Sequence, residues 1–142
     1  MQGFASQQLV GREMEVQSVL ADLRSAQLSG ALLVAEAGMG KSALANVVVR
    51  ELEHEMPVFR IHASSALTGI PFGALAPLLP VLSAEDTDSP LAVMRALLGR
   101  VRPTAERSTD VAPLLVVDDA HALDEASADL LSQLMASGRV RM

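Results

Sequence analysis

The sequence predicts an α/β fold in which helices pack on a parallel sheet, a three-layer α/β/α sandwich. Short apolar runs alternate with amphipathic helical patterns in the order strand–helix–strand–helices–strand–helix. A glycine-rich turn, Ala37 to Gly40, joins the first run to the helix behind it. The third run ends in two carboxylates, Asp118-Asp119. Such an order gives parallel pairing through right-handed crossovers, with ligands at the carboxyl ends of the strands. The glycine-rich turn and the acidic pair both fall at such ends and are expected side by side.

Val16, Val19, Leu20 and Leu23 recur at i, i+3, i+4 and i+7, which predicts a helix over 13–27, ended by Ser29-Gly30. Ala31-Leu32-Leu33-Val34 is a continuous apolar run, as expected of a strand buried on both faces. A helix follows from Lys41 to His54, with Leu44, Val47, Val48 and Leu52 on one face, and Pro57 stops it. Val58 to Ala63 reads as a second strand and Ser64 to Pro71 as a loop. Phe72 to Leu82 has helical spacing but carries Pro77 and Pro80, which break or kink it. Ser83 to Ser89 is a polar loop. Ser89-Pro90 supplies an N-cap and a proline at the first helical position, opening a helix with Leu91, Met94, Leu97, Leu98 and Val101. After a polar loop from Arg102 to Asp110, Leu114 to Val117 is the third strand. Asp124 to Ala136 is a helix burying Leu130, Leu131 and Leu134, capped by Gly138. Arg139 to Met142 resembles the start of a further strand, so the expectation is a fragment whose sheet continues.

The 142 residues suffice for one domain with a core. It divides into a lead-in with the first helix (1–30), a strand–loop–helix unit (31–56), a second strand with helices (57–112), and a third strand with its helix (113–142). No unbroken apolar run reaches the roughly 18 residues of a membrane span. The first residues lack the basic and apolar regions of a secretory signal. Cysteine is absent, which excludes disulfides and thiolate metal sites and suits a cytoplasmic protein. A net charge of −6 and three aromatic residues, all Phe, argue against nucleic-acid binding by this segment. Of the eleven basic residues ten are Arg; the one Lys is Lys41, inside the glycine-rich segment. A compact ammonium and a planar guanidinium are not interchangeable against phosphate.

That segment, Ala35-Glu36-Ala37-Gly38-Met39-Gly40-Lys41-Ser42, has the spacing of a P-loop. A polyphosphate needs many short donors converging on one point. A tight turn of small residues turns successive amides inward, and the helix behind it adds free N–H groups and its positive dipole end. Gly38 and Gly40 permit backbone angles that a β-carbon resists. Lys41 reaches β- and γ-phosphates, the Ser42 hydroxyl ligates Mg²⁺, and Ala43 lies in the first helical turn against the nucleotide. Ala35 occupies a position where Gly is common, a small-for-small change. An apolar strand before and an amphipathic helix after are the context this motif requires, so the fold class sharpens to a P-loop NTPase.

Four apolar residues delivering carboxylates at a strand tip make sense where a cation waits. Asp118 is the candidate Mg²⁺ ligand, through water. Asp119 is the candidate catalytic residue beside Lys41, orienting or deprotonating water near the γ-phosphate. His121 reads first as a loop residue packed by local hydrogen bonds, with a phosphate-sensing or conformational role as the alternative; His54 and His62 read as structural or surface residues, and Glu51, Glu53 and Glu55 as a solvated helix face.

Three segments together resemble the STAND branch of AAA-like P-loop ATPases: Leu9 to Glu15, Glu36 to Ser42, and Leu115 to Asp124. Gly69-Ile70-Pro71-Phe72-Gly73 through Leu79 adds to the likeness. The chain is similar above all to the N-terminal ATPase domain of large bacterial LuxR-family transcriptional regulators, the LAL type related to the maltose regulator. The resemblance implies ATP or ADP with Mg²⁺ as cofactors and an adenine-side role for Val10, Gly11 and Arg12. It implies a regulatory switch that self-associates in the full-length protein and contacts DNA through a C-terminal domain absent from this segment. It also implies that strands beyond Met142 carry sensor residues, so this segment binds nucleotide without efficient hydrolysis. Another AAA-like machine for replication or secretion, and a non-catalytic nucleotide scaffold, share the same front end. A small-molecule kinase has no need of the Gly11-Arg12-Glu13 opening or of Asp118-Asp119-x-His121.

Overall fold

The computed structural model describes residues 11–102 and 111–142. Helix α1 spans Glu13–Arg24 and α2 Lys41–Leu52; strand β1 spans Val58–His62. One-turn helix α3 covers Ala84–Thr87 and α4 Pro90–Val101. Strand β2 is Leu114–Asp118, and α5 is Glu125–Ala136. Three 3₁₀ segments, Ser65–Leu67, Gly73–Leu78 and Ala120–Ala122, fill the connections.

The capping chemistry sets most boundaries. Ser89 Oγ accepts the Ala92 amide at 3.3 Å with Pro90 in the first turn, as predicted. Asp124 caps α5, accepting the Ser127 amide at 2.9 Å. Helix α1 ends at Arg24, three residues short of the prediction, because Ser25 turns extended and Arg141 Nη1 takes the carbonyl of Leu23 at 2.7 Å. Pro77 holds the 73–78 segment to a 3₁₀ helix that ends at Leu78, with Leu79 extended. Ser83 caps α3 inside the predicted polar loop. In α4 the predicted Leu97 and Val101 are buried and Met94 and Leu98 pack against the same core, whereas Leu91 is exposed and Val93 is buried in its stead.

Strands β1 and β2 pair in parallel, Val58 opposite Leu114 through His62 opposite Asp118. Side chains alternate across this ribbon. Val58, Leu114 and Val116 join a core with Val16, Leu20 and Leu23 of α1 and Leu44, Val48 and Leu52 of α2. Phe59, Ile61, Leu115 and Val117 join a second core with α4, α5 and the 73–78 turn. The chain is therefore α/β, with a parallel sheet between two apolar cores.

The sheet corrects two expectations. Leu115 N–H donates to Arg141 O at 2.7 Å and Arg141 N–H to Pro113 O at 2.8 Å. On the other side Met142 N–H donates to Ser29 O at 3.1 Å and Ala31 N–H to Met142 O at 2.8 Å. Residues 141–142 thus lie between β2 and the segment 29–31, so the glycine-rich turn and Asp118 are separated by one strand position rather than side by side. Gly30 sits at this close approach: a β-carbon there would stand 2.2 Å from Met142 O. The Ala31–Val34 run is not a strand among the described residues; its one backbone bond to a neighbouring segment is Ala31 N–H to Met142 O. Ala31 and Leu33 pack on the α1/α2 core, while Leu32 and Val34 remain 80% and 83% exposed. Burial of that run on both faces requires neighbours on both faces.

Candidate functional site

The Ala35–Ser42 loop rises from the carboxyl end of the 31–34 segment. Gly38 and Gly40 adopt left-handed conformations, φ 80° and 81°, and nothing lies within 4 Å of a β-carbon built at either. Backbone angle, not crowding, calls for glycine here. Gly40 precedes α2 and has no side chain with which to cap it. Leu44 N–H to Gly40 O, 3.0 Å, is the first bond of the helix. The amides of Lys41, Ser42 and Ala43 thus stand at the positive end of the helix dipole ahead of that bond. Lys41 folds back over the loop, its Nζ donating to Ala35 O and, at 3.2 Å, to Glu36 O. Residues 35–39 and Ser42 are exposed, and Gly40, Lys41 and Ala43 half-buried. The loop presents amides and one ammonium to solvent, an arrangement that can hold a tetrahedral anion.

Asp118 ends β2 half-buried, and Asp119 follows it exposed. Asp119 is left-handed, φ 53° and ψ 45°, and its side chain does not cap the 3₁₀ turn it opens. A non-glycine residue in this region marks local strain, which Asp tolerates better than most. Register levels Leu114 with Arg141 and Met142 with Gly30, and so Asp118 with about residue 33 across the 141–142 pairing. Two strand spacings of about 4.8 Å then separate the acidic tip from the base of the loop, roughly 10 Å along the sheet edge. Among the described residues no three His, Asp or Glu side chains are grouped to hold a metal. A divalent cation here would draw on Asp118, the Ser42 hydroxyl, water and ligand oxygens, the oxygen-rich shell that Mg²⁺ prefers.

The structure assigns neighbours that sequence reading missed. His62, read as structural or surface, is the register partner of Asp118, with Nδ1 3.9 Å from Oδ2. No local pattern signals this pairing, since the predicted strands 58–63 and 114–117 differ in length; the register comes from the inter-strand hydrogen bonds. Asp124, read as a helix start, is 2% exposed and accepts the amides of Phe72 at 2.8 Å and Ala74 at 3.4 Å besides its capping bond. Burial pushes its carboxyl up, and hydrogen bonds from Ser127, Phe72 and Ala74 outweigh that and hold it below the usual range. No local pattern signals a contact across 50 residues. His121 is exposed on the 120–122 turn, and His54 is exposed beyond α2. Glu55 forms an ion pair with Arg24, joining the ends of α2 and α1. Gly11 is exposed with φ 88°, and Arg12 is half-buried at the start of α1 without capping it. Val10 lies outside the described residues, as do 103–110 of the predicted polar loop. Among the described residues no helix is long and apolar enough to cross a membrane.

Residues 8–141 match the family model described as AAA ATPase domain. No curated protein and no solved structure matches the chain.

Proposed function

The chain belongs to the AAA ATPase domain family, and on that premise we propose that it is an ATP- and Mg²⁺-binding switch domain whose phosphate site is the loop Ala35 to Ala43. The observation that carries this reading is the conformation of that loop: two left-handed glycines, an uncapped helix start and Lys41 poised over its carbonyls. In this reading the backbone amides of the loop and first turn bind the β- and γ-phosphates. Lys41 exchanges the carbonyls of Ala35 and Glu36 for phosphate oxygens, trading partial charges for full ones. Ser42 and Asp118 hold the Mg²⁺. The cation, when bound, neutralises charge on the phosphates and fixes their orientation. Asp119 orients the attacking water and takes its proton as the oxygen bonds to the γ-phosphorus and ADP leaves with the electrons of the broken P–O bond. Gly11 and Arg12, with Val10, form the adenine side.

The finer architecture in this reading is the three-layer α/β/α sandwich, supported by apolar cores on both sides of the β1–β2 ribbon. The wider role we infer is the regulatory domain of a cytoplasmic LuxR-type transcriptional activator, with slow hydrolysis, self-association and DNA contact through another domain. Support for that role is the joint resemblance of the opening, loop and Asp118-Asp119 segments.

Titration with a fluorescent ATP analogue tests the site. Lys41→Ala is expected to weaken MgATP binding at least tenfold, about 1.4 kcal/mol, the scale of lost charge-assisted contacts. An unchanged dissociation constant in a folded variant would defeat the reading.

A further inference from the structure

Asp119 holds a strained conformation that its own side chain does not secure. Such positions persist where the surroundings over-determine them. The turn is closed by Ala122 N–H donating to Asp119 O at 2.8 Å, and the carbonyl of the same Ala122 accepts Thr68 Oγ1 at 3.1 Å. Ala122 is therefore gripped on both sides, by Asp119 and by a hydroxyl 54 residues away. Around this grip, residues 63–74 touch 118–124 at three further points. Ala63 N–H donates to Asp118 O at 3.1 Å, and the amides of Phe72 and Ala74 donate to Asp124. Phe72 has φ 59° and is, with Asp119, one of two non-glycine residues of positive φ among the described residues. Both strained positions thus belong to one bracket.

We propose that Thr68 is a positioning residue for Asp119, aiming its carboxylate along the phosphate edge by holding the 119–122 turn through Ala122. The inference rests on the nucleotide reading above and extends it to the water-orienting step. Thr68 itself is exposed and borders an open cleft of about 380 Å³ that Gly69, Pro71, Asp124 and Glu125 also line. Removing its hydroxyl therefore disturbs the bracket without entering either core. A device that acts on aim rather than on phosphate binding separates ground state from transition state.

The test compares Thr68→Val, which keeps shape and loses the donor, with Thr68→Ser, which keeps the donor. In the ¹⁵N-labelled chain without nucleotide, Thr68→Val is expected to speed amide exchange at Ala122 by about three- to tenfold, the scale of one hydrogen bond. Its affinity for MgADP–aluminium fluoride, which mimics the transferring phosphoryl group, is expected to fall by about the same factor. Its affinity for MgATP should stay within about twofold, and Thr68→Ser should restore both lost properties. Unchanged exchange at Ala122, equal weakening of both complexes, or a serine variant as impaired as valine overturns the proposal. A parent chain that binds neither complex overturns the nucleotide reading beneath it. A parent that binds MgATP with no preference for the fluoride complex overturns the positioning role alone.

Discussion

The glycine-rich loop and the carboxylate edge sit at the same end of the sheet yet are held by different means. The loop is secured from within: Lys41 bonds to carbonyls five and six residues back, and Gly38 and Gly40 set its angles. The carboxylate edge is secured from outside, by Thr68 on Ala122 and by the amides of Phe72 and Ala74 on Asp124, across 50 to 54 residues. A locally encoded element keeps its shape when distant packing loosens. An element encoded by tertiary contacts does not, and the two should respond to different substitutions.

The largest expected effect lies on the tertiary side. Asp124→Ala removes a helix cap and leaves the buried amide of Phe72 unpaired, a cost of about 2–4 kcal/mol in urea unfolding. Below its midpoint MgATP affinity should change little, because the loop does not depend on this residue. A loss of affinity matching the loss of stability would break the contrast. The sign with pH follows from the lowered carboxyl of folded Asp124. Its contribution is present in full above the ordinary aspartate range and is lost as pH falls through that range towards the folded value. The stability gap between parent and Asp124→Ala should therefore narrow between pH 7 and pH 3.

A smaller effect is expected on the local side. Gly40→Ala meets no steric neighbour, so its cost is that of the left-handed angle, about 1–2 kcal/mol. Here stability and nucleotide affinity should fall together, since the angle that is strained also aims the first amides of α2. Retained MgATP affinity in this variant would mean that the loop amides do not carry binding.

The same division explains what could be read from the sequence. The loop, the α2 face of Leu44, Val48 and Leu52, the Ser89-Pro90 helix start and the Leu114–Asp118 strand all follow from patterns within a dozen residues. What escaped depends on distant partners. The exposure of Leu32 and Val34 depends on what packs over that run, and the position of residues 141–142 within the sheet follows from hydrogen bonds to both neighbours. The burial of Val93 in place of Leu91 in α4 is a matter of which core the helix meets. Thr68, Phe72 and Asp124 carry no signature that distinguishes a bracket from a loop, a buried ring and a cap.

The smallest effect sharpens the contrast on its local side. Arg24 and Glu55 join α1 to the end of α2 through an ion pair between two exposed side chains. Such pairs gain little, because water screens them and both long side chains lose freedom. Arg24→Ala is expected to leave the urea midpoint unchanged and MgATP affinity within about twofold. The reason is geometric as well as energetic: the pair holds the far end of α2, while the amides of the proposed phosphate site belong to its first turn, which Gly40 precedes. A marked loss of nucleotide affinity in this variant would show that α1 sets the tilt of α2, and would move the phosphate loop into the class of elements held from outside.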